Sequence, residues 1–412
     1  MFSILGSTIV QFVLIIWIAI ETQSELILGL ASIAAFGPFL ILGPIAGVLV
    51  DRLNRKAIII IADATIAIST LVAIFLFYSE NMNLLWFFLI ITIRGIGDVF
   101  HSTTVGAMMP TMIPQKHLGR MNGINALSNG VVRIIGPAIA AGLLIVWREA
   151  DLLWADVVTF IIALIPLFFI SIPKVATTLK KGAKFSFFAD FKDGLKTISN
   201  IKGLVPLLVM FMVVNFFFTP IGTLLPLFVT KTHGGFEAEY AIVVIFMQIG
   251  TVVGGLIMTF FKGFRKKALS SYIALLWIYT VVSTLILVPP EMTGRFWLIG
   301  SILFLVMFVL PVINVSMITA FQTIVPREKL GRTMSVLGTI SSSITPIAML
   351  LSGVIGEYVA IPWIFLGSGV LGLLISSAIW FLTKAPQLDD SIIEITEQQA
   401  IAALGKSMEI TE

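Results

Sequence analysis

The stretch from Thr111 to Arg120 reads TMIPQKHLGR, and 212 positions later Thr323 to Arg332 reads TIVPREKLGR. Each copy follows one long apolar run and precedes another, so the chain is built from two related membrane halves. A second echo has nearly the same offset: Gly43 to Ala57 (GPIAGVLVDRLNRKA) is answered by Gly254 to Ala268 (GGLIMTFFKGFRKKA).

The solvent follows from composition. With 58% hydrophobic and 12% charged residues and a mean hydropathy of +1.06, the chain cannot hide its apolar surface inside a water-soluble globule. A hydrocarbon core of about 30 Å needs roughly 20 apolar residues per helix. Twelve runs of that kind lie at about 2–20, 27–50, 57–78, 84–107, 122–147, 152–172, 204–229, 240–261, 268–288, 296–321, 333–356 and 361–382. The expected fold is an all-α membrane protein with twelve transmembrane helices in two pseudo-symmetric six-helix bundles. The expected divisions are 1–172, a central loop at 173–203, 204–383, and an acidic tail at 384–412, read as mobile and solvated with room for one short helix. The first helix starts without a charged leader or a small-residue cleavage site and is read as a span.

Formal charge is +4, and its distribution decides what it means. Of 26 Lys and Arg, 21 fall in alternate connections and the C-terminal tail; the other connections carry only Arg148, Lys231 and Arg295. That asymmetry predicts both termini in the cytoplasm of a multi-pass cell-membrane protein and argues against a nucleic-acid partner. The absence of cysteine excludes disulfides and thiolate metal sites.

Between the second and third runs, Gly47-Val-Leu-Val-Asp51-Arg52-Leu-Asn-Arg55-Lys56 sets one acid among three bases at the membrane edge. The bases serve topology, whereas the acid seeks a positive partner. The pattern resembles the signature loop of the major facilitator superfamily, GxLxDRxGRR/K, with Asn54 at the usual glycine. The resemblance implies that Asp51 latches the cytoplasmic side against an arginine and the start of helix eleven when the protein faces outward. Gly47, Asp51, Arg52, Arg55 and Lys56 would form that gate. Lys262 stands where the second half would need its own acid, so the latch is one-sided.

Arg94-Gly-Ile-Gly97 is similar to the superfamily's RxxxG region, and Gly136-Pro137 to its antiporter motif GxxxGPxxGG, with Val132 at the first glycine. Among subfamilies the chain resembles the macrolide efflux proteins. Gln11, Gly47 to Lys56, Ala62-Asp63, Arg94 to His101, Ile172-Pro173-Lys174, Pro220 to Pro226 and Leu330-Gly331-Arg332 carry that likeness. Those relatives begin upstream of this Met1, so helix one is expected to extend beyond it.

A charge at helix centre costs about 2.5–3.5 kcal/mol on insertion, so each needs a reason. Asp63, Arg94, Asp98, Arg133 and Asp156 all lie in the first half; the second half offers Asn215, Gln248, Asn314 and Gln322. Arg94 and Asp98 are four apart and can pair on one helix face, with His101 continuing the stripe. Asp63, Asp98, Arg94 and Arg133 are the proton-coupling candidates: desolvation raises a carboxylate pKa toward physiological pH, and Arg133 is expected to pair with Asp63 or Asp98. The resemblance favours Asp63, whereas the local setting beside Arg94 favours Asp98. Asn125, Asn129 and Arg133 recur at four-residue spacing, a polar face that must meet a cavity or another helix. With Gln11, Asn215, Gln248 and Asn314 they are the substrate-cavity candidates.

Gly43 and Gly47, Gly250 and Gly254, and Gly353 and Gly356 mark surfaces of close helix approach, either fixed packing or rocking surfaces. Pro38, Pro44, Pro137, Pro220, Pro226, Pro311 and Pro346 are expected to bend their helices. Phe216 to Phe218, Trp17 and Trp277 face lipid or core, and some could stack on an apolar ligand.

No GxxxxGK[ST] loop, nucleophile with a base, paired carboxylates or His cluster occurs, so no enzyme, cofactor or metal is expected. Duplicated bundles imply alternating access, and an ion gradient must drive it. One proton crossing 100 mV supplies about 2.3 kcal/mol, enough for roughly a fiftyfold gradient. The reading is a monomeric secondary transporter exporting a bulky amphipathic compound in exchange for protons, macrolide-like by resemblance. An exporter of a siderophore or lipid-like metabolite is the alternative, and a membrane sensor the non-transport one.

Overall fold

A computed structural model describes residues 2–112, 115–169, 195–196, 198–199, 201, 203–261, 264–325, 330–383, 385–390 and 392–394. Among them the chain forms thirteen α-helices. The first six are α1 (Phe2–Thr22), α2 (Glu25–Arg52), α3 (Arg55–Tyr78), α4 (Leu84–Met112), α5 (Gln115–Leu144) and α6 (Glu149–Phe169). The rest are α7 (Leu204–Leu227), α8 (Glu237–Phe260), α9 (Lys267–Ser283), α10 (Arg295–Ile324), α11 (Leu330–Ser343), α12 (Thr345–Gly356) and α13 (Ile361–Leu382).

Apolar helices satisfy their own backbone groups, the condition for crossing lipid. Among the described residues, eleven spans are long and apolar enough to do so, with α11 and α12 sharing one; in α5 the apolar part is Ser128–Leu144. The single run expected at 333–356 is therefore two helices joined at Ile344. Pro346, in the first turn of α12, has no N–H to donate and crowds the carbonyl four residues back. The other prolines named above lie inside continuous helices. Past Pro226, however, α7 ends in a π-turn over Phe228–Thr232.

Successive helices place their connections at two ends. The α2–α3, α4–α5, α8–α9 and α10–α11 connections share one, called here the basic end. The other, far end holds the α1–α2, α3–α4, α5–α6, α7–α8, α9–α10 and α12–α13 connections. At the α2–α3 corner, Asn54 accepts from the backbone N–H of Lys56 (3.0 Å) and Ala57 (3.4 Å), capping α3. The residue that departs from the superfamily's glycine thus satisfies donors that a helix start leaves open.

Within the first bundle, α1 packs on α5 and α6, and α4 on α2 and α3. Within the second, α8 and α9 pack on α10, and α13 on α7 and α9. Two main seams join the bundles: α2 with α12, and α5 with α8. Of the glycine pairs expected to mark close approach, Gly353 and Gly356 do so between bundles: a Cβ at Gly353 would meet the Glu25 carbonyl at 2.8 Å, and one at Gly356 the Glu25 side chain at 2.6 Å. Gly250 and Gly254 instead sit against the backbone of Phe304 and Phe308 inside the second bundle. Gly43 and Gly47 have no neighbour within 4 Å of a Cβ.

The tail corrects its expectation near its start. Leu388, Asp389 and Ile392 are buried, and the Asp389 carboxylate accepts from the N–H of Ala268 (2.8 Å) and Leu269 (2.9 Å), capping α9 from a distance of 121 residues. An acidic, charge-rich composition reads as solvated, but one carboxylate met the open donors of a helix start. Residues 395–412 lie outside the described residues.

Candidate coupling and gating sites

The first bundle is organised around carboxylates. Asp156 on α6 is 3% exposed and gathers three donors: Ser7 Oγ from α1 (2.8 Å), Thr70 Oγ1 from α3 (2.7 Å) and Arg94 Nη1 from α4 (2.7 Å). Arg94 also contacts the Thr70 hydroxyl. One ionic knot therefore ties four helices, with both charges paired and the carboxylate oxygens satisfied, the condition under which a buried ion pair is tolerated. Gly6 allows α1 this close, since a Cβ there would meet the Asp156 Cα at 2.7 Å.

This arrangement overturns the expected Arg94–Asp98 pair. Asp98 is exposed whereas Arg94 is buried. Spacing along one helix permits such a pair, but a buried guanidinium gains more from a carboxylate already held by two hydroxyls than from an acid facing away. The sequence marks Asp156 as a charge in an apolar run but supplies no partner for it. Its signal was present: Ser7, Thr70 and Arg94 are all polar residues in apolar runs.

Asp63, 8% exposed on α3, meets His101 Nδ1 on α4 at 2.6 Å. Counted along α3 from the basic end, Asp63 lies about 12 Å deep. The structure thus brings together the family-favoured carboxylate and a histidine on the neighbouring helix, with exposed Asp98 three residues before that histidine. Arg133 does not join them. It is exposed on α5 and has no ion pair among the described residues, so the expected pairing with Asp63 or Asp98 is not made: Asp63 is occupied by His101. Gly136 and Pro137 are buried. A Cβ at Gly136 would meet Thr8 Cγ2 at 2.7 Å, so α5 rests this glycine on α1.

The polar cavity candidates stay apart. Gln11 and Asn314 are exposed, and Asn129, Asn215 and Gln248 are half-buried. Asn215 donates to its own helix at Phe211 O (3.0 Å). Among the described residues no hydrogen bond joins any two of these side chains. Phe12 of α1 stacks on Tyr240 of α8 at 5.3 Å between ring centres, an aromatic bridge between bundles that was not anticipated.

At the basic end, Arg55 reaches across from α3 to α4, donating through Nη1 to Ala107 O at 3.0 Å. The side chains of Asp51, Arg52, Asn125 and Gln322 lie outside the described residues. At the far end, two ionisable contacts among the described residues join the bundles. Lys231 Nζ donates to Glu25 Oε1 (2.9 Å), Oε2 (3.0 Å) and Gln23 O (2.9 Å). Glu357 Oε1 accepts from Ser24 Oγ (2.6 Å) and Leu26 N–H (3.2 Å). The Ser24 hydrogen bond, then the Leu26 N–H and the Lys231 charge, hold the Glu357 carboxyl below its ordinary value. These clasps and the Gly353 contact fasten the far end, while Gly43 and Gly47 of α2 stand clear toward the basic end. His233, also at the far end, is buried against Phe228 O (2.8 Å) and Val288 O (3.3 Å), a structural staple.

The geometry has parallels among known proteins. The chain is 29% identical over 396 residues to macrolide efflux protein A of Streptococcus pyogenes, covering 94% of this chain and 95% of the relative. It is 30% identical over 327 residues to macrolide efflux protein A of Enterococcus faecalis, covering 77% and 97%. With the multidrug efflux pump Tap of Mycolicibacterium fortuitum the identity is 22% over 395 residues, covering 93% of each. Among solved structures, a D-xylose–proton symporter superposes with a TM-score of 0.67 at 15% identity, covering 94% of this chain and 97% of that one. A bacterial homolog of the human lysosomal transporter Spinster, inward-facing and unoccupied, superposes with a TM-score of 0.63 at 15% identity, covering 96% and 95%. A profile of the Major Facilitator Superfamily matches residues 1–344, and the chain belongs to that family.

Proposed function

We propose that this membrane transporter exports a bulky amphipathic compound, macrolide-like in class, in exchange for protons. The observation that carries the reading is the similarity to macrolide efflux protein A, which spans nearly the whole of both chains. The sparse polar positions support an apolar, adaptable substrate rather than a sugar, which needs many hydrogen-bonding partners. In this reading the basic end faces the cytoplasm, following the lysine and arginine asymmetry. Residues 1–172 and 204–383 are the two rocking bodies, joined through 173–203, and the substrate cavity lies between them, flanked by Gln11, Asn129, Arg133, Asn215, Gln248 and Asn314.

The far-end clasps then hold the protein open to the cytoplasm, where substrate enters. Asp63 is the proton carrier: protonating it removes a buried charge and changes what His101 holds, so α3 and α4 can shift relative to each other. Asp51 latches the opposite state. Arg94 serves through the Asp156 knot as a fixed frame beside the moving pair.

The test is transport by purified protein in liposomes with an imposed pH step. Macrolide flux should follow the proton gradient, and Asp63→Asn should lose gradient-driven flux at least about tenfold, the scale of a lost proton-transfer group, while retaining substrate binding. An Asp63→Asn protein that still moves protons on adding macrolide would rule out the carrier assignment. Sugar flux without macrolide flux would rule out the substrate class, and macrolide flux indifferent to both pH and voltage would rule out coupling.

A further inference from the structure

Arg133 is a cation at membrane depth, and an arginine there is costly on insertion and is kept for a partner or a ligand. The second bundle, which α5 meets through α8, offers it no partner at that depth. Between Leu204 and Leu382 the acids are Glu237, Glu239, Glu291, Glu328 and Glu357, and each stands at a helix end or in a connection. In the first bundle Arg94 holds Asp156 and His101 holds Asp63, and among the described residues no ion pair joins Asp98 to Arg133.

Helix periodicity fixes the side on which Arg133 lies. The exposed apolar positions Ile135 and Ala138 share one side of α5, and Arg133 is on the opposite one. It falls between the face that rests Gly136 on α1 and the face where a Cβ at Gly130 would meet Val252 of α8 at 2.8 Å. Arg133 is therefore on the interior side and yet exposed, whereas Pro137 and Ala140, one and two turns toward the far end on that side, are buried. An exposed charge on an interior face lines a water-filled space, and the space ends at Arg133. Gln248, half-buried, stands on the face of α8 turned to α5, one turn before Val252. The two helices run antiparallel, so from the Gly130–Val252 contact Arg133 lies about 4.5 Å and Gln248 about 6 Å toward the far end. Above both, the stack of Phe12 on Tyr240 closes α1 against α8. Half-buried Asn129, one turn below Arg133, continues the stripe. A guanidinium flanked by two amides, with no carboxylate among them, is a donor set suited to an oxyanion.

We propose that Arg133, with Gln248 across from it, is an oxyanion subsite in the roof of the cavity between the bundles. An amphipathic organic anion binds there with its carboxylate or sulfonate on the guanidinium and its apolar body below, and is held more tightly than a neutral compound of the same skeleton. The inference rests on the reading of a ligand cavity between the bundles, and it needs neither macrolides nor protons.

The test is native mass spectrometry of the delipidated full chain, titrated with anilinonaphthalene sulfonate or with phenylnaphthylamine, the same skeleton without the sulfonate. The parent should retain one sulfonate in clear preference to the neutral probe. Arg133→Gln should weaken the sulfonate at least about tenfold, the scale of a lost hydrogen bond to a charged group, and leave the neutral probe unchanged. Arg133→Lys, which keeps the charge, should keep most of the preference. Gln248→Glu leaves Arg133 in place and sets a carboxylate opposite it, so it should remove the preference as Arg133→Gln does. Equal retention of the two probes by the parent, an equal loss of both in Arg133→Gln, a loss in Arg133→Lys as large as in Arg133→Gln, or a preference surviving in Gln248→Glu would each overturn the proposal. None of these readouts involves transport, so macrolide export or proton coupling can fail in liposomes while the binding ratios hold, and the reverse.

Discussion

The two bundles share an internal repeat, yet they are held together by different forces. In the first, Asp156 gathers Ser7, Thr70 and Arg94 from three other helices, and Asp63 holds His101. In the second, close packing is joined by neutral hydrogen bonds: Gly250 and Gly254 let α8 press on the α10 backbone, Tyr272 stacks on Trp380 at 4.6 Å, and Ser270 Oγ donates to Ser316 Oγ at 3.2 Å and Tyr272 OH to Ser377 Oγ at 3.1 Å. Lipid supplies no hydrophobic drive between helices, so a bundle coheres by close packing or by polar contact. The first bundle sets carboxylates between its spans, whereas the contacts between the spans of the second are packing and neutral hydrogen bonds. In the function proposed above, proton coupling falls to the first bundle and the second is the body against which it moves.

The sharpest way to break this comparison is Asp156→Ala. It strands Arg94 in the bundle interior and should cost about 3–5 kcal/mol, read as a large fall in the thermal midpoint in detergent. Replacing both partners together, Arg94→Met with Asp156→Leu, should recover most of that loss. If Asp156→Ala unfolds no earlier than the parent, the first bundle does not depend on its ionic knot.

The matching test in the second bundle is Gly254→Val. A Cβ there would lie 2.1 Å from Phe308 O, so overpacking should cost about 1–3 kcal/mol, with no change in the pH dependence of transport. A pH-dependent phenotype would contradict the assignment of packing to one bundle and titration to the other.

Asp389→Ala removes the cap of α9 and should cost about 1 kcal/mol, measured by the same melt and by faster proteolysis of the tail. An unchanged cleavage rate would show that the tail is not anchored there.

The smallest effect belongs to the far-end clasp. Glu357 has its carboxyl depressed when the bundles touch, so its contribution to the closed far end is full above the ordinary value of 4.5 and is lost as pH falls through the lower one. Between pH 7 and 5 the closed fraction should hold steady, and below about 4.5 it should decline. Glu357→Gln should remove that decline. Distance measurements between labels at the two far-end loops, on this naturally cysteine-free chain, would record it. A closed fraction already falling at pH 6 would point to a different titrating group.

Several features are legible in the sequence alone. The number and rough bounds of the apolar runs, the duplication and the one-sided distribution of basic residues all follow from short stretches read one at a time. Membrane helices close their own hydrogen bonds, so a span announces itself without reference to its neighbours. The glycines at 353 and 356 could likewise be marked as contact surfaces. Gly43 and Gly47 show the limit of that reading: a helix surface can be suited to close approach and yet meet nothing in the state the structure adopts.

What the chain alone determined is thus its solvent, its helical content and its two-fold plan, because those depend on composition and local period. Tertiary structure decided the partners. Arg94 could have met Asp98 one turn away, yet it reaches Asp156, 62 residues further on. Asp63 could have met Arg133, yet it holds His101, and Asp389 left a polar tail to cap α9. Each pairing depends on the rotation and depth at which separate elements come to rest, and no spacing along a single helix encodes that.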